Sequence, residues 1–340
     1  MSDRSDLRVR RWLLAAAAAV GLAVAVGGIT RLTESGLSIT EWRPVSGILP
    51  PLSGAAWGEA YQRYLAIPEA QTVHRGITLG QFQALFWWEW IHRLLARLVG
   101  LVLAVPYFVF LARRQIRPGL RGRLLLLPVL AAAQGVLGWY MVKSGLQVRQ
   151  DVSPYRLTAH LGMALLIFVI CVWTVLELRG ARSATGKTSQ MLRRGTLAGA
   201  GLALVTMLSG GFVAGLDAGK VYNTFPLMGG QVVPPGYLLP GLGWRNAFEN
   251  PAAAQFHHRI LALGTATLLL ALAAAARRPQ VPAALRSATA AAGLAVIVQI
   301  GLGIATLLSR VPVGLGVLHQ VAALTVLAAA LVAAYRAGRR

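Results

Sequence analysis

Apolar residues along this chain are gathered into blocks of about 20, the length that crosses a hydrocarbon core of roughly 30 Å. A helix on the surface of a soluble domain would show an apolar stripe instead. Eight blocks read as spans, near residues 12–30, 86–112, 124–142, 157–178, 195–216, 253–276, 287–308 and 313–335. The pattern predicts an all-α integral membrane protein with eight transmembrane helices. Composition agrees: the 340 residues are 56% hydrophobic and 13% charged, against about 25% charged in soluble chains. The first block follows several arginines and is rich in alanine, as in a cleaved signal peptide. It is also the first member of an internal repeat, so it is read as a retained span.

Charge then sets orientation. A net charge of +22 has the size expected of a nucleic-acid binder, but its placement argues for topology and against nucleic acid. The N-terminus, the segments 113–123, 179–194 and 277–286, and the tail hold 20 of the 33 basic residues and three acids, Asp3, Asp6 and Glu177. The alternate segments hold ten basic residues and eight acids. Basic loops stay inside, so both termini are expected in the cytoplasm. The single cysteine, Cys171, lies in the apolar run LLIFVICVWTVL and reads as a packed, inert thiol.

The two halves of the chain resemble each other. Gly27-Gly28 corresponds to Gly210-Gly211, Pro50-Pro51 to Pro234-Pro235, His92-Arg93 to His258-Arg259, the Gln134–Gly138 segment to Gln299–Gly303, and His160 to His319. Each half starts and ends inside, so the repeat is parallel, about an axis along the membrane normal. The expected organisation is two pseudo-symmetric four-helix bundles: residues 1–178 with a long first outer loop, a cytoplasmic linker at 179–194, and residues 195–340. The outer loop, about Arg31 to Leu85, has room for short helices on the membrane surface, with Trp42, Trp57, Tyr61 and Tyr64 as interfacial anchors.

Four histidines, His92, His160, His258 and His319, sit on the even-numbered spans, within their first two turns and at one membrane depth. A lone histidine at a helix mouth is usually an interfacial polar residue. Two pairs related by a repeat point to ligands, because bundle cofactor sites use inward side chains on facing helices. Two imidazoles per half suit the axial positions of a heme iron, whereas zinc asks for three or four donors. His74 reads as a surface residue. His257 points about 100° away from His258. Glu89 lies three residues before His92 on the same face, where the second half has Gln255. Its plainer role is an ion pair with Arg93; its functional role is proton handling beside one heme only, which makes the first half the reactive one.

The series GGITRLTESGLSITEWRPVSGILPP, EWIHR, QGVLGWYMVKSGL, FHHR and QIGLG, with the His160 and His319 helices, resembles the heme A synthase family in its proteobacterial and mitochondrial branch, from about Gly27 to Ala333. Some members carry a cysteine pair in the outer loop; this chain has none. The resemblance implies oxidation of the C8 methyl of heme O to a formyl group through two hydroxylations and loss of water, giving heme A for terminal oxidases. It implies a permanent heme b on His258 and His319, and heme O or heme A between His92 and His160 with Glu89 as a required residue. Arg93, Arg97 and Arg259 either meet heme propionates or snorkel and pair. The implied partners are heme O handed over by a heme O synthase, an unidentified electron acceptor or donor, and the lipid bilayer of a bacterial inner membrane. The heme sites are expected toward the periplasmic side, and oligomerisation is left open. Two other classes explain part of the pattern. A diheme b-type electron carrier accounts for the histidines but not for Glu89. A transporter with histidine relays accounts for the repeat and binds no heme.

Overall fold

The computed structural model describes residues 3–43, 45–146, 151–180 and 187–338, without the side chains of 187–189. Eight helices are long and apolar enough to cross a membrane. They are α1 (Asp3–Leu32), α4 (Leu79–Ala112), α5 (Arg121–Gly145), α6 (Pro154–Arg179), α7 (Lys187–Gly215), α9 (Pro251–Ala275), α10 (Ala283–Leu308) and α11 (Val313–Arg336). The shortest has 24 residues, about 36 Å at 1.5 Å per residue, so each clears the core. Three short helices, α2 (Gly54–Leu65), α3 (Pro68–Thr72) and α8 (Asn246–Glu249), lie in the connections.

Local chemistry sets the ends. Thr78 caps α4 by accepting from Gln81 N, while the Gln81 side chain accepts from Thr78 N, a capping box. Asn250 caps α9 ahead of Pro251, and Gly180 ends α6 at φ 69°, a left-handed stop that glycine adopts without strain. α7 begins inside the expected 179–194 linker, of which residues 181–186 lie outside the described residues.

The helices form two sets of neighbours. α4 packs between α1 and α5, and α6 between α5 and α1; likewise α9 packs between α7 and α10, and α11 between α10 and α7. The sets meet through α6 on α7 and through α11 on both α1 and α6. α1 is a packed member, with Leu13, Ala16 and Val20 buried and Trp12 donating to the Val102 carbonyl at 2.6 Å. At the arginine-rich ends, Arg117 pairs with Asp6 and Arg123 with Glu177. Cys171 is fully buried. Bulky residues such as Leu101, Val105, Phe108, Leu294 and Ile297 face outward, as a lipid-facing surface requires.

Two expectations need correction. α4 starts at Leu79 rather than near 86, so His92 lies well beyond the second turn; the polar residues of 79–83 hid the extension. The outer-loop aromatics are mostly not interfacial anchors. Tyr64 has no exposure, and Trp57, Tyr61, Tyr64, Phe82 and Phe86 pack on one another with Leu37 and Ile67 as a small core over α4. Only Trp42 among the four stays exposed, tilted against Trp139 with ring centroids 5.2 Å apart.

Candidate active site

His92 lies on α4, His160 on α6, His258 on α9 and His319 on α11. Each ring rests on a glycine of an adjoining helix: Gly27 of α1, Gly138 of α5, Gly210 of α7 and Gly303 of α10. A Cβ at those glycines would stand 2.9, 3.0, 3.2 and 2.8 Å from the respective histidine Cε1, inside the roughly 3.5–4.0 Å at which carbon atoms settle. The glycines therefore seat the rings. His92 is within electrostatic reach of His160, and His319 of His258, so the reach runs within each half.

All four histidines are half-buried residues, and the Nδ1 edge is turned into the protein. Nδ1 of His92 and of His160 is buried with no hydrogen-bond partner. Nδ1 of His258 is 2.8 Å from Ser209 Oγ, and Nδ1 of His319 is 3.2 Å from Gln299 Nε2. None of the four Nε2 atoms is enclosed or hydrogen-bonded among the described residues. Gln134 and Gln299 hold equivalent stations: each amide donates at 3.0 Å to the carbonyl of its histidine, His160 or His319, and each Oε1 is buried without a partner.

Glu89 is the asymmetric member. Its side chain is 3% exposed. Oε1 accepts from Arg93 Nε at 2.8 Å, and Oε2 accepts from Ser38 Oγ at 3.2 Å and Ile39 N at 3.3 Å. Arg93 goes on to donate to the Glu41 and Ile39 carbonyls at 2.9 and 2.6 Å. The expected Glu89–Arg93 ion pair exists, but it is buried and clasps the outer loop where that loop leaves α1. In the second half Arg259 donates to the Tyr222 and Thr224 carbonyls at 2.9 and 2.8 Å, and Gln255 donates to Tyr222 O at 3.1 Å. The offset that relates Gly27 to Gly210 also relates Ile39 to Tyr222 and Glu41 to Thr224. Both arginines thus clip corresponding loop carbonyls, a role the sequence reading missed. That offset, carried past the glycines into the loops, was the available signal. Arg97 likewise donates to the Arg43 carbonyl at 3.0 Å. Arg259 keeps a buried Nε with no hydrogen-bond partner.

The remaining histidines lie apart. His257 meets Tyr237 Oη at 2.9 Å, away from the pair, as expected. His74 is not a plain surface residue: its side chain is 18% exposed, Nδ1 is 2.5 Å from Tyr64 Oη, and Nε2 is 3.8 Å from Glu34.

Paired imidazoles with an inward Nδ1 and an open Nε2 fit a heme iron held from both sides. Metal-ligating histidines ordinarily pair their second nitrogen with an acceptor, and the second half supplies a hydroxyl for this where the first half leaves Nδ1 bare.

Residues 10–331 match the COX15-CtaA family model, described as cytochrome oxidase assembly protein. The chain belongs to this family. Among curated members, it is 44% identical to the heme A synthase of Rhizobium meliloti (strain 1021) over 97% of this chain and 90% of that protein. It is 45% identical to the heme A synthase of Caulobacter sp. (strain K31), over 99% and 98%, and 46% identical to that of Rhodospirillum centenum, over 92% and 84%. Family membership over nearly the whole chain agrees with the resemblance read from its motifs.

Proposed function

We propose that this chain is a heme A synthase of a bacterial inner membrane, an oxidoreductase acting on the C8 methyl of heme O. The four glycine-seated histidines carry the reading, together with membership in a family whose curated members bear that name. Two parallel-repeat bundles, 1–178 and 195–340, hold one pair each, with both termini cytoplasmic and both pairs toward the outer side. The two sets of helix neighbours and the basic ends of the helices support that arrangement.

Heme O, delivered by a heme O synthase, is the substrate between His92 and His160. His258 and His319 hold a resident heme b, which when bound supplies one-electron transfer toward an external acceptor. Glu89 stands one helical turn from His92. Its Oε2 is oriented by Ser38 and the Ile39 N–H, and it moves protons as the methyl is hydroxylated twice and water is lost from the diol. Arg93 holds the carboxylate in place, and Arg259 Nε offers a donor for a propionate in the second half.

The test separates proton handling from clasping. General acid–base help is worth about 10²–10⁴-fold in rate. Glu89→Gln should keep heme b and accumulate heme O, while Arg93→Gln, which removes the pair but leaves the carboxylate, should retain more heme A. The measurement is the heme A to heme O ratio extracted from membranes at equal protein. Equal losses in both variants would reduce Glu89 to a clasp. Expression of the unaltered chain in a host that makes heme O but no heme A should yield heme A; heme b without heme A would leave the diheme carrier as the better reading.

A further inference from the structure

The repeat carries an internal control for how the two histidine pairs hold iron. The glutamines at 134 and 299 share the bond to the histidine carbonyl, and only Gln299 also reaches the ring nitrogen, as an amide nitrogen 3.2 Å from His319 Nδ1. Ser209 distinguishes His258 from His92. It precedes Gly210, the seat of His258, and the corresponding residue before Gly27 is Val26. Ser209 Oγ is 2.7 Å from the Thr206 carbonyl and 2.8 Å from His258 Nδ1. A hydroxyl has one hydrogen. With that hydrogen donated to Thr206 O, the oxygen can only accept at Nδ1, so His258 carries its proton on Nδ1 and leaves an Nε2 lone pair on the open edge. A backbone carbonyl acts on the ring in both halves, Ala23 on His92 and Thr206 on His258, but no side chain meets hydrogen-bond geometry at Nδ1 of His92. His92 is seated by Gly27 but lacks the hydroxyl partner that His258 has.

We propose that Ser209 is a positioning residue that locks His258 in its Nδ1–H tautomer and makes the second pair a permanent heme clamp, while Val26 leaves His92 an exchangeable ligand. The inference rests on the heme A synthase reading and explains a difference that reading requires. A substrate heme has to enter and leave once per turnover; a resident heme should not. Donation from Nδ1–H also makes the ligating nitrogen more basic, which favours ferric iron and lowers the potential of the resident heme.

The test uses the purified full-length protein in detergent with apomyoglobin as heme acceptor. Release of heme b should be about 10- to 100-fold faster in Ser209→Val, the usual range for losing such a partner, and the midpoint potential should rise. Ser209→Thr, which keeps the hydroxyl, should restore both. Val26→Ser should slow release of heme from the first site. Wild-type release and potential in Ser209→Val would overturn the proposal. If that variant does not fold, Val26→Ser decides, and unaltered release from the first site would overturn it equally. Unaltered protein purified with no heme b at all would instead defeat the heme assignment of the second pair, so the two failures are distinguishable.

Discussion

A methyl group is enough to test the seating of a histidine. Gly303→Ala places a carbon 2.8 Å from His319 Cε1, whereas Gly301→Ala, two residues away on the same helix, meets nothing within 4 Å. Overpacking of this kind costs about 1–3 kcal/mol, and here the ring yields most easily. Gly303→Ala should lower bound heme b per polypeptide and alter its spectrum, and Gly301→Ala should not; equal heme in the two variants would mean that the glycine does not seat the ring. At this scale the sequence was informative about the histidines and silent about their supports. Paired histidines in apolar runs are costly and stand out. A serine inside an apolar helix is ordinary, and the Ser209–Val26 contrast carries meaning only once Nδ1 of His258 is seen 2.8 Å from Oγ. Glu89 was legible as an oddity, and its Arg93 pair as the plainer role. Its bonds to Ser38 and Ile39 cross more than forty residues and were not.

The outer loop is an element with its own core and its own titration. Burial pushes the Glu69 carboxyl up to about 8; the Tyr64 hydrogen bond opposes this, and Glu89 and Glu34 add to it. A carboxyl with a raised folded-state pKa stabilises the fold most at pH below its ordinary value near 4.5. That contribution is lost as pH rises toward 8, because the folded form binds the proton more tightly. Amide exchange in α2 and α3 should therefore speed up from pH 5 to pH 8 beyond the intrinsic rate change, and Glu69→Gln should flatten the difference. A profile identical in the variant would show that Glu69 does not control the loop. The start of α4 was hidden by Gln81 and Gln83, and the aromatic core was misjudged for a different reason. Tyr and Trp near a bilayer suit an interfacial belt and a small core alike, and only tertiary contacts separate the two.

At the scale of the whole molecule, the ends of the two helix sets opposite their arginine-rich ends are tied by charge. Arg31 pairs with Asp217 at 2.6 Å, and Lys220 with Asp217 at 3.1 Å and Glu34 at 3.6 Å. Burial works against ionisation of Asp217, but Arg31 and Lys220 outweigh it and hold the carboxyl below its ordinary range. Span number and order were legible because lipid demands long apolar runs. The mutual docking of the halves was not, because its contacts mix glycines set against Leu324, Gln320 and Leu208 with ring pairs such as Tyr155–Phe212 and Trp173–Tyr335, a set with no periodic signature. A cysteine at Ser53 should react with an impermeant maleimide from outside, and a reporter after Arg340 should be active only in the cytoplasm; the opposite labelling would invert the molecule. The glycine pairs have one more consequence. Gly27 touches His92 while Gly28 lies against Gln320, the neighbour of His319; Gly210 touches His258 while Gly211 faces Thr158, two residues before His160. One peptide unit, about 3.8 Å between Cα atoms, is a party wall between two rooms. Bulk added at Gly27 or Gly210 presses on the histidine of its own half, and bulk added at the next residue presses beside a histidine of the other half, so each wall joins the two rooms.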